Sequence, residues 1–325
     1  MGNTEENVQN LESTPKAVIK AKDDFLFLAE LGEGSYSTVY LGCERKTSEK
    51  FAIKVCLKKQ IIRENKTAQV FREKECLMLL SKPENCHPFI VRLYCTFQDA
   101  DSLYFVLSLA SNKDLFAILK KNKKLSVDET KFVSSEIISA LGHIHKFGVI
   151  HRDVKPENIL LSSEGHMVLS DFGSAKKLEP VPETEKETED AESSSDDVPK
   201  RRARRSSFVG TAHYVTPEVL ENRPVDETCD YWALGCIIFQ CLTGERPFAD
   251  VSEHLIFRRI VALRYKFPED FPSVNARDLI ENLLILEKED RLGSKKQGGV
   301  KKIMDHAFFE NVNWENLAQV ASPFR

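Results

Sequence analysis

The run His151-Arg152-Asp153-Val154-Lys155-Pro156-Glu157-Asn158 leads straight into Ile159-Leu160-Leu161, and a second polar block, Ser170-Asp171-Phe172-Gly173, follows shortly. A charge-rich surface loop is the bland reading of any such run. It does not explain why five polar groups sit between apolar stretches of strand character. Nor does it explain why acid, lysine, amide and second acid come in this order at these offsets. Three matching residues alone would carry little. The whole set, with its companions upstream, decides how the chain is read.

A chain of 325 residues exceeds one average domain and suits two lobes around a cleft. Hydrophobic content of 42% and charged content of 30% make an ordinary globular mix. A net charge of −4 and a pI near 6.1 give no whole-chain case for nucleic-acid or membrane binding. No apolar run approaches the roughly 20 residues that span a bilayer, so no integral membrane segment is expected. The polar, acidic N-terminus is unlike a secretory signal. It begins Met1-Gly2 but carries Glu6 where a myristoylation signal has Ser or Thr. Eight cysteines lie scattered without a Cys-x-x-Cys pair, which fits reduced, mostly buried thiols in a cytoplasmic protein.

Working outward, residues 1–22 read as a flexible N-terminal segment and 23–107 as a strand-rich lobe. Phe51, Ile53, Val55 and Leu57 alternate with Ala52, Lys54 and Cys56 on opposite faces of one strand. Val70, Leu77 and Leu80 mark the inward stripe of a helix over about 67–80. Strands follow near 91–98 and 103–108, and 108–113 reads as a hinge. Residues 114–310 form a helix-rich lobe. Val133, Ile137, Leu141 and Ile144 stripe a long helix into the opening motif, and helical patterns return at about 227–243, 253–263 and 275–286. Residues 311–325 form a C-terminal tail. Residues 179–205, acidic and then basic with little apolar surface, read as a disordered insertion. Its end, Pro199-Lys200-Arg201-Arg202-Ala203-Arg204-Arg205, is either solvated charge or a nuclear-import patch.

Gly32-Glu33-Gly34-Ser35-Tyr36-Ser37-Thr38-Val39 is a glycine turn that lets backbone amides approach phosphates. Alone it fits a plain hairpin equally well. A dinucleotide fold needs a helix next, whereas Thr38-Val39-Tyr40-Leu41 reads as strand. Glu73 falls on the buried stripe of its helix, where a carboxylate is costly unless paired. Lys54 is the natural partner, and that pair would aim its ammonium at nucleotide phosphates. Asp153 would then orient a substrate hydroxyl and take its proton. Lys155 would steady the transferring phosphoryl group, and Asn158 and Asp171 would hold Mg²⁺.

With these residues in view, the chain resembles the protein kinases. Within them it looks like the AGC serine/threonine kinases of the 3-phosphoinositide-dependent family, over roughly residues 20–320. The most specific parts are Leu31 to Val39 with Ser37 for the third glycine, Leu103-Tyr104-Phe105-Val106-Leu107-Ser108, Ser207 to Val215, and Phe308 to Leu317. Lys155, two after Asp153, and Thr211 in Gly210-Thr211-Ala212 favour serine/threonine over tyrosine transfer. Thr216-Pro217-Glu218 carries Thr for the usual Ala, and Glu218 is expected to pair with Arg291. Asp230 is read as an anchor beneath the catalytic loop.

The resemblance implies an α+β, bilobal fold: a small antiparallel-sheet lobe with one key helix and a large, mainly helical lobe. It implies ATP held by Leu31, Gly32, Glu33, Gly34, Ser35, Tyr36, Ser37, Val39, Ala52, Lys54, Ser108, Ala110, Asp114, Glu157, Leu160 and Asp171. It implies a phosphorylation site at Ser207, modified by the kinase itself, with Arg152, Arg72 and Lys176 receiving the phosphate. It also implies that the substrates are activation loops of other AGC kinases. Their Phe-x-x-Phe tails would dock in a small-lobe pocket of Lys58, Ile61, Ile62, Thr67, Val70 and Leu103, with Lys74, Thr96 and Gln98 at the tail phosphate. The bland reading of the apolar members is core. The ending Ala321-Ser322-Pro323-Phe324-Arg325 has no such tail, and the lipid-binding domain common in the family is not expected within these residues. Membrane recruitment would run through partners. Two rivals stand beside this reading: a pseudokinase scaffold, which should lack a catalytic group, and another AGC-type kinase acting on basic peptides.

Overall fold

Alternation of apolar and polar side chains builds the small lobe first. The computed structural model describes residues 20–34, 36–110, 113–178 and 212–325. The expected insertion over 179–205, with Ser35, Ser207 and Thr211, lies outside the described residues, as does the N-terminal segment to residue 19. β1 (Phe25–Glu33), β2 (Ser37–Glu44) and β3 (Lys50–Leu57) lead to two helices, α1 (Lys58–Arg63) and α2 (Thr67–Leu80). β4 (Leu93–Gln98) and β5 (Ser102–Ser108) complete an antiparallel sheet in the order β1-β2-β3-β5-β4. Phe51 and Ile53 of β3 join Phe25, Tyr104 and Val106 in a cluster on one face. Cys56 faces the main core with α2.

The large lobe opens with α3 (Leu115–Asn122) and α4 (Val127–Lys146). Ser126 and Glu129 close a reciprocal cap on α4 at 3.1 and 2.8 Å. The stripe Val133, Ile137, Leu141 and Ile144 is buried. Short strands β6 (Val149–Ile150), β7 (Ile159–Leu161), β8 (Met167–Leu169) and β9 (Lys176–Lys177) pair β6 with β9 and β7 with β8. These two ribbons hold the opening motif. After α5 (Pro217–Leu220) comes α6 (Thr228–Thr243), buried on every side, so it runs through the core of the lobe. α7 (Glu253–Val261), α8 (Val274–Leu283) and α9 (Gly299–Met304) surround it.

Three boundaries differ from the sequence reading. The strand expected from residue 91 begins at Leu93, because Val91 N donates to Leu169 O across the lobes at 2.9 Å. α7 ends at Val261, and the chain turns at Leu263 with φ +47°. α8 stops at Leu283 instead of running to 286. There the Arg291 guanidinium takes the Ile285 carbonyl at 3.1 and 3.0 Å. α1 had no clear period in the sequence and appears as an addition.

Candidate active site

A cavity of about 390 Å³ lies between the lobes. The glycine turn roofs it through Leu31, Gly32, Glu33, Gly34, Ser37 and Val39. Gly34 N donates to Ser37 O at 2.7 Å, closing the turn. A Cβ on Gly32 would meet nothing, so it leaves the roof open to a ligand. Tyr36 turns away into the core, where burial lifts its hydroxyl to about 12. Ala52, Ser108, Ala110, Asp114, Glu157 and Leu160 complete the wall expected from the sequence. Asp114 also caps α3, accepting from Ala117 N at 2.6 Å. Leu77, Val91, Leu107, Leu109 and Phe172 line the cavity as well and were not singled out. The inward stripe of α2 gave a signal for Leu77. Nothing local marked Val91.

At the back, Lys54 Nζ donates to Glu73 Oε1 at 2.6 Å and to Asp171 Oδ1 at 3.4 Å. Strand pairing fixes Lys54 opposite Val39 and Phe105, and α2 brings Glu73 to meet it. Burial opposes the Lys54 charge, but Glu73 and then Asp171 outweigh it and hold the ammonium above its ordinary range. Burial likewise opposes the Asp171 carboxylate. Lys54 and His151 bring its pKa below the usual value.

The loop below is held from beneath. Asp230 of α6 accepts from His151 N at 2.9 Å, Arg152 N at 2.8 Å and His145 Nε2 at 2.8 Å. These bonds stabilise Arg152 at φ +64°. Asp171, at φ +57°, is a second non-glycine residue in the left-handed region, at a cost of order 1–3 kcal/mol each. His151 bridges the two motifs through Ser170 O at 2.9 Å. Asp153 Oδ2 accepts from Lys155 Nζ at 2.8 Å and from Asn158 Nδ2 at 3.0 Å. Among the described residues, Asp153 Oδ1, Glu157 Oε2 and Glu73 Oε2 are buried without hydrogen-bond partners. Three orphan carboxylate oxygens around one cleft are costly unless a ligand supplies donors or cations.

The remaining expected residues fall into two groups. Burial, then the neighbouring Arg72 charge, lowers the pKa of Arg152. These two guanidiniums therefore share one region, and Lys176 lies on β9, opposite Ile150. In the small lobe, Ile61 and Val70 are buried in the core and Leu103 packs against it. Ile62 is 73% exposed, and Lys58 Nζ donates to Asp99 O at 2.5 Å. Thr67 opens α2, Lys74 follows Glu73 on it, and Thr96 and Gln98 lie on β4. In the large lobe, Glu218 and Arg291 form a buried bidentate pair at 2.9 and 3.1 Å.

Residues 25–309 match the family described as protein kinase domain. The human 3-phosphoinositide-dependent protein kinase 1 is 43% identical over 317 residues, covering 98% of this chain and 53% of its own length. The human putative 3-phosphoinositide-dependent protein kinase 2 is also 43% identical, with 98% and 74% covered. The Arabidopsis thaliana 3-phosphoinositide-dependent protein kinase 1 is 43% identical, with 92% and 58% covered. The chain spans about half the length of most of these curated relatives. With its two lobes, its glycine-roofed cavity, Lys54, Glu73, Asn158 and Asp171 around one cleft and Asp153 bonded to Asn158, the chain belongs to the protein kinases, among the 3-phosphoinositide-dependent serine/threonine kinases.

Proposed function

We propose that this chain transfers the γ-phosphoryl group of ATP to serine or threonine in the activation loops of other AGC kinases. The observation that carries the chemistry is the Lys54–Glu73–Asp171 chain at the back of the cavity, together with Asp153, which accepts from the cavity-lining Asn158 and whose Oδ1 is unpartnered among the described residues. Lys54 would bind the nucleotide phosphates, and Glu73 holds it in place. Asp153 Oδ1 would accept the proton of the substrate hydroxyl, while Lys155, bonded to Oδ2, would steady the transferring group. The Asp171 carboxylate and the Asn158 amide oxygen are hard oxygen donors suited to Mg²⁺, and the Asp171 side chain stays 48% exposed at the cavity. Bound there, Mg²⁺ supplies neutralisation of phosphate charge.

The Arg152–Arg72 region would receive phosphate on Ser207, which adds about −1.5 to −2 charges, and so seat α2. Substrate tails of the Phe-x-x-Phe kind would dock over Leu103 and Ile62, with Ile61 and Val70 as the floor. No helix among the described residues is long and apolar enough to cross a membrane.

The test is a phosphotransfer assay with Mg-ATP on two substrates, an AGC activation-loop protein and a short basic peptide. Preference for the first is expected. Preference for the basic peptide would transfer the assignment to another AGC-type kinase, and no turnover with either would leave the scaffold reading.

A further inference from the structure

The large lobe carries a second concavity that the reaction above does not use. It is a groove of about 940 Å³ formed by α7, the segment beyond it and the connection before it. Arg246 enters from the connection, Arg258 and Arg259 from α7, and Arg264 and Lys266 from the segment beyond. The acids present are Glu245 and Asp250, and Asp250 is taken by Arg259 Nε at 2.6 Å. Among the described residues no carboxylate pairs with Arg258, Arg264 or Lys266, all three exposed, so the groove keeps a surplus of positive charge.

Solvated cations on one helix would mean little. Two further observations give this groove a direction. Among the described residues Arg246 Nε is shut off from water and has no hydrogen-bond partner. An orphan Nε–H donor of that kind favours an arriving acceptor. The groove also adjoins the 212–214 turn. Burial, then the Arg246 charge, brings His213 down to about 4. The same guanidinium acts on Tyr214, which also feels Glu157 of the nucleotide cavity. α7 packs against the 212–214 turn and against α5. On the phosphotransferase reading, a polypeptide presenting its hydroxyl to Asp153 would pass this basic groove.

Resting on the phosphotransferase reading, we infer that the groove binds an acidic stretch of the protein substrate flanking the phosphorylated residue. It would act as a specificity determinant, through KM and not through turnover, because none of its cations reaches the reacting atoms.

The experiment uses the full chain and peptides spanning Ser206–Tyr214 of its own sequence, extended at either end by glutamates or by the same number of glutamines. For at least one end, the glutamate peptide should show a KM about fivefold lower at equal kcat, as expected for a few screened ion pairs. Arg258→Glu with Arg264→Glu, both exposed and outside the cleft, should erase that difference and leave the glutamine peptide unchanged. Lys266→Glu should erase part of it. A fluorescein-labelled oligoglutamate should bind the wild type by anisotropy and lose affinity in the double variant and at about 0.5 M NaCl. Equal KM values for the two extensions, or a difference that survives the double variant, would overturn the inference while leaving the phosphotransferase reading in place. Absence of turnover on every peptide would sink that reading, and the anisotropy measurement would then decide the groove by itself: salt-sensitive binding lost in the double variant supports it, and no binding ends it.

Discussion

Each lobe buries an ion pair, and the two differ in what surrounds them. Lys54–Glu73 in the small lobe is part of an open chain. Its ammonium reaches on to Asp171, one Glu73 oxygen has no partner among the described residues, and the cavity begins at its edge. Glu218–Arg291 in the large lobe is sealed and saturated, with both side chains at 0% exposure. Arg291 also donates to Thr228 O and Ile285 O and lies 5.1 Å from the Trp232 ring. The same chemical pairing thus does two jobs. Where hydrogen-bonding capacity is left over beside a cavity, the pair prepares a site for a ligand. Where all of it is used, the pair fixes the path of the chain.

The largest expected effect breaks the open pair. Lys54→Met or Asp171→Asn should lower phosphoryl transfer by about 10³-fold or more, because each removes charge that faces phosphate. The melting temperature of Asp171→Asn should stay within about 2 °C of the wild type, since the core packing is untouched, whereas Lys54→Met also strands the buried Glu73 carboxylate and should melt lower. Radiolabelled ATP measures the first effect and calorimetry the second. Wild-type turnover in Asp171→Asn would remove its assigned role.

The sealed pair should respond the opposite way. Arg291→Ala strands the buried Glu218 carboxylate and should cost about 3–5 kcal/mol of stability. Denaturant unfolding checks this. At temperatures where the variant remains folded, the KM for ATP should be close to that of the wild type. A large KM change without loss of stability would place Arg291 in the site and erase the contrast between the pairs.

Much of this was legible in the sequence, because period and pairing are local. The α2 stripe placed Glu73 inside, and the cost of an unpaired buried carboxylate pointed to Lys54. Asp230 on the stripe of α6 predicted an anchor under the loop. What escaped was set by contacts between distant segments. Val91 leaves the sheet to bond Leu169, and α8 stops where Arg291 claims a carbonyl. Tyr36 sits within the glycine motif yet points into the core, which the motif alone does not reveal. The basic groove draws on residues 246 to 266, and no single stretch of them is strongly basic.

A smaller effect tests whether the small lobe's open pair can be governed from outside. Filling the surface over Leu103 with a Phe-x-x-Phe tail should steady α2 and, with it, Glu73. Leu103→Glu puts a charge where an apolar side chain packs against the core, and its desolvation is unfavourable. Activity on a tail-bearing AGC kinase should fall about tenfold, with a short activation-loop peptide still phosphorylated at near wild-type rate. Equal loss on both substrates would mean that Leu103 only fills the core.

The smallest effect asks which buried groups answer to pH. Lys54 is held ionised by its carboxylates, whereas His87 is kept neutral: burial, then His143 and Lys146, bring it from 6.5 down to about 4. His87 stands against the His143 ring at 4.7 Å and Phe89 at 5.5 Å, with Nε2 3.2 Å from the Ser139 hydroxyl. Between about pH 4 and 6.5 the unfolded chain therefore binds more protons at this site than the folded one. Stability rises with pH across that window and is lost as pH falls through it. Since His87 is partly exposed, the contribution is about 1–2 kcal/mol. His213, also lowered to about 4 by burial and by Arg246, adds a slope of the same sign. Urea unfolding at pH 7 and pH 5 should show a smaller acid loss in His87→Gln than in the wild type, with the His213 share intact. An unchanged acid loss in His87→Gln would assign the sensitivity to other groups. It would also leave the contact of this loop with α4 indifferent to protonation.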